Sequence, residues 1–110
     1  MKNYLVLFRE TDARTQLPDP DPETARAHQQ HWQQWLATHA AAITGGRPLT
    51  LRGRQLAPGQ APTDGPRFHG QEFVGGFLLL EATDLDAATQ LIASCPVFEA
   101  DGLAEVREMM

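Results

Sequence analysis

The chain has 110 residues, with 9 Lys+Arg against 14 Asp+Glu, one cysteine and a net charge of −5. That length suits a single domain over residues 1–110. The acidic balance argues against a nucleic-acid partner, which basic side chains must recruit. One cysteine builds neither a disulfide framework nor a multi-Cys zinc site, and no apolar run approaches the roughly 20 residues that span a bilayer. Only 24 residues are Leu, Ile, Val or Phe, against 15 Ala. The expectation is a small cytoplasmic domain with a modest core, to which burial in an oligomer adds.

Asn3 to Arg9 (NYLVLFR) reads as the first strand. Its consecutive apolar residues suggest cover on both faces, and its stop at Arg9-Glu10 is unlike a signal peptide. From Glu10 to Asp21 the chain is polar, and its alternating prolines exclude helix interior. Asp21-Pro22-Glu23 is a helix start, with Asp21 as cap and Pro22 in the first turn. The helix is expected over Pro22 to about Ala42, with Ala25, Trp32, Trp35, Leu36 and Ile43 on one stripe, and Gly45-Gly46 as its terminator.

Pro48 to Leu56 reads as a second strand carrying a local basic patch of Arg47, Arg52 and Arg54. Ala57 to Gly70 is a Pro/Gly-rich loop with room for a short hairpin. Glu72 to Glu81 (EFVGGFLLLE) is the clearest strand. Phe73, Phe77 and Leu79 are expected on one face, and Val74, Leu78 and Leu80 on the other. Gly75-Gly76 within it signals a bulge or a close backbone approach. Thr83-Asp84 opens a second helix with Leu85, Ala88, Leu91, Ile92 and Cys95 buried, and Pro96 ends it. Leu103 to Glu108 is the last strand. The order β-α-β-β-α-β is the ferredoxin-like α+β pattern, an antiparallel sheet with both helices on one face. The third strand is apolar on both sides, so the open face calls for a second copy.

Thr63-Asp64-Gly65-Pro66, Val74-Gly75-Gly76-Phe77, Thr83-Asp84-Leu85-Asp86-Ala87-Ala88, Cys95-Pro96 and Ala104-Glu105-Val106-Arg107 occur in that order. A helix carrying Trp32 and Trp35, followed by Gly46-Arg47-Pro48-Leu49, precedes them. Together they resemble the YCII-related family, particularly its DGPF-motif branch, over nearly the whole chain. One departure is Arg67, which stands where that pattern has Phe; Phe68 follows one step on. The resemblance implies a dimeric α+β barrel, two subunits packed sheet against sheet. It also implies a cleft in which some relatives carry a His–Asp pair. One branch is associated with dehydrochlorination of an aromatic compound, and DGPF-type proteins are often encoded beside alternative sigma factors.

Two residues are the candidates for proton transfer. His28 matches a helix histidine of that branch and shares the stripe with Trp32 and Leu36; a side chain titrating near neutrality can act as acid or base there. Asp64 opens the Asp-Gly-Pro turn and could orient His28; as a turn residue it equally caps backbone N–H groups. Trp32 and Trp35 are candidates for a flat ligand wall, or for core packing. Arg67, His69 and Arg9 are candidates for binding an anionic ligand. His31 and His39 are weaker candidates with structural explanations.

No metal is expected: His28 and His31 could share a helix face, but no HExxH or CxxC spacing is present. No cofactor is expected either, since Gly75-Gly76 lies inside a strand and not before a helix. Cys95 reads as a small buried hydrophobe. These features converge on a homodimer that binds a small organic ligand, with cofactor-free elimination, isomerisation or hydrolysis as its chemistry. The alternative is a non-enzymatic ligand-sensing or accessory dimer in a sigma-factor-type regulatory system.

Overall fold

The computed structural model describes residues 1–11 and 20–110. Most of the polar proline-containing stretch after Glu10 lies outside them. The elements in chain order are β1 (Lys2–Thr11), α1 (Pro22–Thr38), β2 (Ile43–Pro48), β3 (Arg54–Gln55), β4 (Thr63–Asp64), β5 (Glu72–Ala82), α2 (Leu85–Ala93), a 3-10 turn (Pro96–Ala100) and β6 (Leu103–Glu108). The main sheet runs β2-β5-β1-β6, and every pairing in it is antiparallel. With both helices counted, its strands follow the expected β-α-β-β-α-β order. The hairpin β3–β4, which lies between β2 and β5 in the chain, forms a separate two-stranded ribbon outside the main sheet.

One face of the sheet carries the core. Tyr4, Val6 and Phe8 alternate along β1, and Leu78, Leu80 and Ala82 along β5; all six are buried. They join Trp35 of α1, Ala88 and Ile92 of α2, then Cys95 and Val97. Period-two alternation sends Leu5 and Leu7 of β1, and Phe77 and Leu79 of β5, to the opposite face. Those four are only half-buried.

Both helix starts follow their capping chemistry. The Asp21 carboxylate accepts from the Thr24 N–H, with Pro22 in the first turn, and the Asp84 carboxylate accepts from the Ala87 N–H.

Four local expectations need correction. Helix α1 ends at Thr38, with His39 as its C-cap. Ile43, Gly45 and Gly46 are therefore strand residues, paired with Leu80, Leu79 and Leu78. The second strand lies earlier than Pro48–Leu56; Leu49, Leu51 and Leu56 beyond it are exposed. Gly46 has φ +145°, and a Cβ there would meet Leu78 Cδ2 and the Phe77 carbonyl oxygen, each at 2.5 Å. The glycine pair thus serves close strand pairing, and both signals read alike in sequence.

The third correction is on β5. Phe8 pairs with Gly76 and Arg9 with Val74, which leaves Gly75 as the extra residue of a β-bulge. The bulge reverses the alternation before it, so Phe73 lies across from Glu10 and Val74 across from Arg9. Finally, Leu85 is exposed rather than buried.

Candidate functional site

Between α1 and the β2-β5-β1 part of the sheet is a cavity of about 780 Å³. Its apolar wall includes Phe8, Trp32, Leu36 and Leu78. Small residues make the space: Gly45, Gly46, Gly75 and Gly76 place bare backbone along it. Glu10, His28 and Arg47 are its chargeable side chains.

His28 sits on α1 four residues before Trp32, so the two side chains stack along one helix face. The Trp32 indole Nε1–H donates to His28 Nε2 at 3.1 Å. That bond makes Nε2 the acceptor and puts the imidazole proton on Nδ1. Nδ1 then donates to Glu99 Oε2 at 3.1 Å. His31, one turn along the same face, places its Nδ1 2.8 Å from Glu99 Oε1. Two imidazoles therefore hold one carboxylate. The His31 and His28 hydrogen bonds hold the Glu99 carboxyl below the ordinary glutamate range.

Trp32 is fixed by edge-to-face contacts with Phe8 and Trp35, at centroid separations of 5.7 and 5.9 Å.

Glu99 was not among the residues that the sequence singled out. It sits on the 3-10 turn Pro96–Ala100, whose C-cap Asp101 has a left-handed φ of 58°. Gly102 follows, buried, where a Cβ would stand 2.6 Å from Val97 Cγ2. The available signal was Asp101-Gly102, a turn pair just before the last strand. It marks a tight return of the chain that presses the Glu99 turn against α1.

The other candidates lie elsewhere. Asp64 is on β4 of the ribbon, with its carboxylate 3.1 Å from Arg54 Nε and side chain 88% exposed. It does not line the cavity, and the carboxylate bonded to His28 is Glu99. Trp35 is in the core, its indole N–H donating to Ser94 Oγ at 3.0 Å. Arg9 alternates away from Phe8 and gives its guanidinium to Glu105 at 2.8 Å. Arg67 and His69 are exposed and outside the cavity wall. The His69 backbone pairs with Glu72 instead. His39 packs against Trp35 at a centroid separation of 5.0 Å. Burial pushes the Cys95 thiol up to about 11, as expected of a structural cysteine. Among the described residues no helix is long and apolar enough to cross a membrane.

Fold and cavity together define an α+β protein with two helices on an antiparallel sheet and a small-molecule-sized cleft beneath the first helix. The chain belongs to the YCII-related family, whose domain model matches residues 8–110. Among solved structures it is similar to 5-chloro-2-hydroxyhydroquinone dehydrochlorinase from Burkholderia phenoliruptrix, determined in complex with 2,5-dihydroxybenzoquinone. The likeness has a TM-score of 0.53 at 18% identity and covers 98% of this chain and 93% of the other. At that identity it shows a shared fold. No functionally curated protein matches the chain.

Proposed function

We propose that the α1 cavity binds a small, largely flat organic molecule, and that His28 exchanges a proton with it. The observation that carries this reading is the placement of a carboxylate-held imidazole on the wall of an aromatic-lined cleft. Glu99 fixes the His28 tautomer and would stabilise the imidazolium when Nε2 takes a proton. Nε2 is engaged by Trp32 in the ligand-free chain, so the incoming group must displace that indole N–H. The reaction class is elimination, isomerisation or hydrolysis without a cofactor.

The structural neighbour's name supplies the first compounds to try. Melting temperature should rise with added 2,5-dihydroxybenzoquinone, because a ligand of the folded state stabilises it by mass action. An Ala25→Trp variant, which fills the cavity from an exposed position of α1, should lose that rise. Chloride release from 5-chloro-2-hydroxyhydroquinone by the wild type, and not by His28→Gln, supports proton transfer. Failure of both compounds to bind would remove the support for this ligand class.

A second reading has its own observation: both His28 nitrogens already have partners, which suits a binding module. Binding with unchanged affinity and no turnover in wild type and His28→Gln would favour that ligand-sensing role.

The half-buried face formed by Leu5, Leu7, Phe77 and Leu79 also supports a homodimer packed sheet against sheet, since an apolar sheet face without helices leaves its area wet in a monomer. Sedimentation should show a dimer, and a folded monomer at nanomolar concentration would overturn it.

A further inference from the structure

Glu10 takes no part in the hydrogen bonds around His28, yet it faces the same cavity. It stands two residues after Phe8 on β1, just past the register shift at the Gly75 bulge. Alternation brings it back to the helix side of the sheet. The bulge puts bare glycine backbone beside it: a Cβ on Gly75 would lie 2.9 Å from Glu10 Cδ and 3.0 Å from Oε2. Any other residue at 75 would drive the carboxylate out of its position.

Among the described residues no hydrogen bond or ion pair engages this carboxylate. Its neighbour Arg9 is taken by Glu105 on the other face. The remaining chargeable groups on the cavity wall are His28 and Arg47. His28 spends its donor on Glu99 and its acceptor on the Trp32 indole. Glu10 is thus, among the described residues, the carboxylate on this wall, exposed and with open lone pairs, beside the uncharged oxygens of Gln29 and Thr44. An ionised carboxylate accepts hydrogen bonds and offers none. It also disfavours a second negative charge beside it.

We propose that Glu10, seated in the space left by Gly75, is a specificity-determining residue that accepts the O–H of a hydroxylated aromatic ligand and selects the protonated ring hydroxyl over the phenolate. This rests on the reading of the cavity as a ligand site and names the class of ligand it takes.

The test uses 4-nitrophenol, whose absorbance reports its own ionisation, titrated in the presence of saturating protein. The bound phenol should be about tenfold more acidic in Glu10→Gln than in the wild type, because an adjacent negative charge has been removed. Gly75→Ala, which keeps the carboxylate but displaces it, should shift the ionisation in the same direction. Identical titrations in wild type and Glu10→Gln would overturn the role of Glu10 while leaving the cavity reading intact. If the wild type does not bind the probe and Ala25→Trp behaves identically, the cavity reading fails and this proposal falls with it.

Discussion

Gly46 links the fold to the cavity, and replacing it should be expensive. At φ +145° an alanine enters a region that L side chains rarely adopt, at a cost of about 1–3 kcal/mol. Its Cβ would also stand 2.5 Å from the Phe77 carbonyl oxygen and 3.0 Å from Leu78 Cα. Those are backbone atoms of a central strand, so they cannot swing aside as a side-chain tip would. Overpacking of this kind costs a further ~1–3 kcal/mol. Gly46→Ala should therefore lose about 2–6 kcal/mol, a large part of a typical ~5–15 kcal/mol domain stability. Gly53→Ala is the control, because an added Cβ there meets nothing within 4 Å. It should stay within about 0.5 kcal/mol of the wild type. Urea unfolding of the three proteins checks both values through the shift in midpoint. A loss below about 1 kcal/mol for Gly46→Ala would show that β2 relaxes away from β5, contrary to a rigid close pairing of the two strands.

Three further outcomes follow from the same geometry. The Glu99 carboxyl is depressed by His31 and His28, so its contribution to stability is present above the unfolded-state pKa near ~4.3 and fades as pH falls through the lower folded value. Glu99→Gln should accordingly be less stable than wild type near neutrality, and the two stability curves should converge on acidification; a constant gap would contradict the depressed pKa. Asp84→Ala removes the cap on α2 and should cost about 1 kcal/mol in chemical denaturation. Cys95, buried with its thiol raised to about 11, should resist alkylation in the native protein at mildly alkaline pH and react once unfolded.

The long elements were legible because their signals are local. Asp21-Pro22 marked the start of α1 and Asp84 that of α2, since a cap is a short-range hydrogen bond. The apolar runs of β1 and β5 likewise mark strands, although of the two covered faces they imply only the helix side is buried in this chain, with Leu5, Leu7, Phe77 and Leu79 half-buried on the other. What failed depended on contacts far apart in sequence. Gly45-Gly46 reads equally as a helix terminator or as a close strand approach, and only pairing with β5 decides. Gly75-Gly76 signals a bulge or a close backbone approach, but which face Phe73 and Val74 take follows from the partner strand. Of the candidates, His28 and Trp32 both line the cavity, as expected of residues four apart on one helix face. Glu99 and Glu10 were missed because each reaches the cavity by tertiary packing, one on a 3-10 turn and one beyond a bulge. Asp64 had strong turn chemistry, and its carboxylate serves the ribbon through Arg54.

Binding of a small aromatic molecule in the cleft beneath α1, as proposed above, can be read directly at the tryptophans. The chain has two tryptophans, so its amide NMR spectrum carries two indole N–H signals. Trp32 lines the cavity and its Nε1–H donates to His28, while Trp35 Nε1–H donates to Ser94 at the core. Titration with 4-nitrophenol should move the Trp32 indole signal, assigned with Trp32→Phe, and leave that of Trp35 in place. Binding that moves neither indole signal, or only that of Trp35, would overturn a ligand site beneath α1.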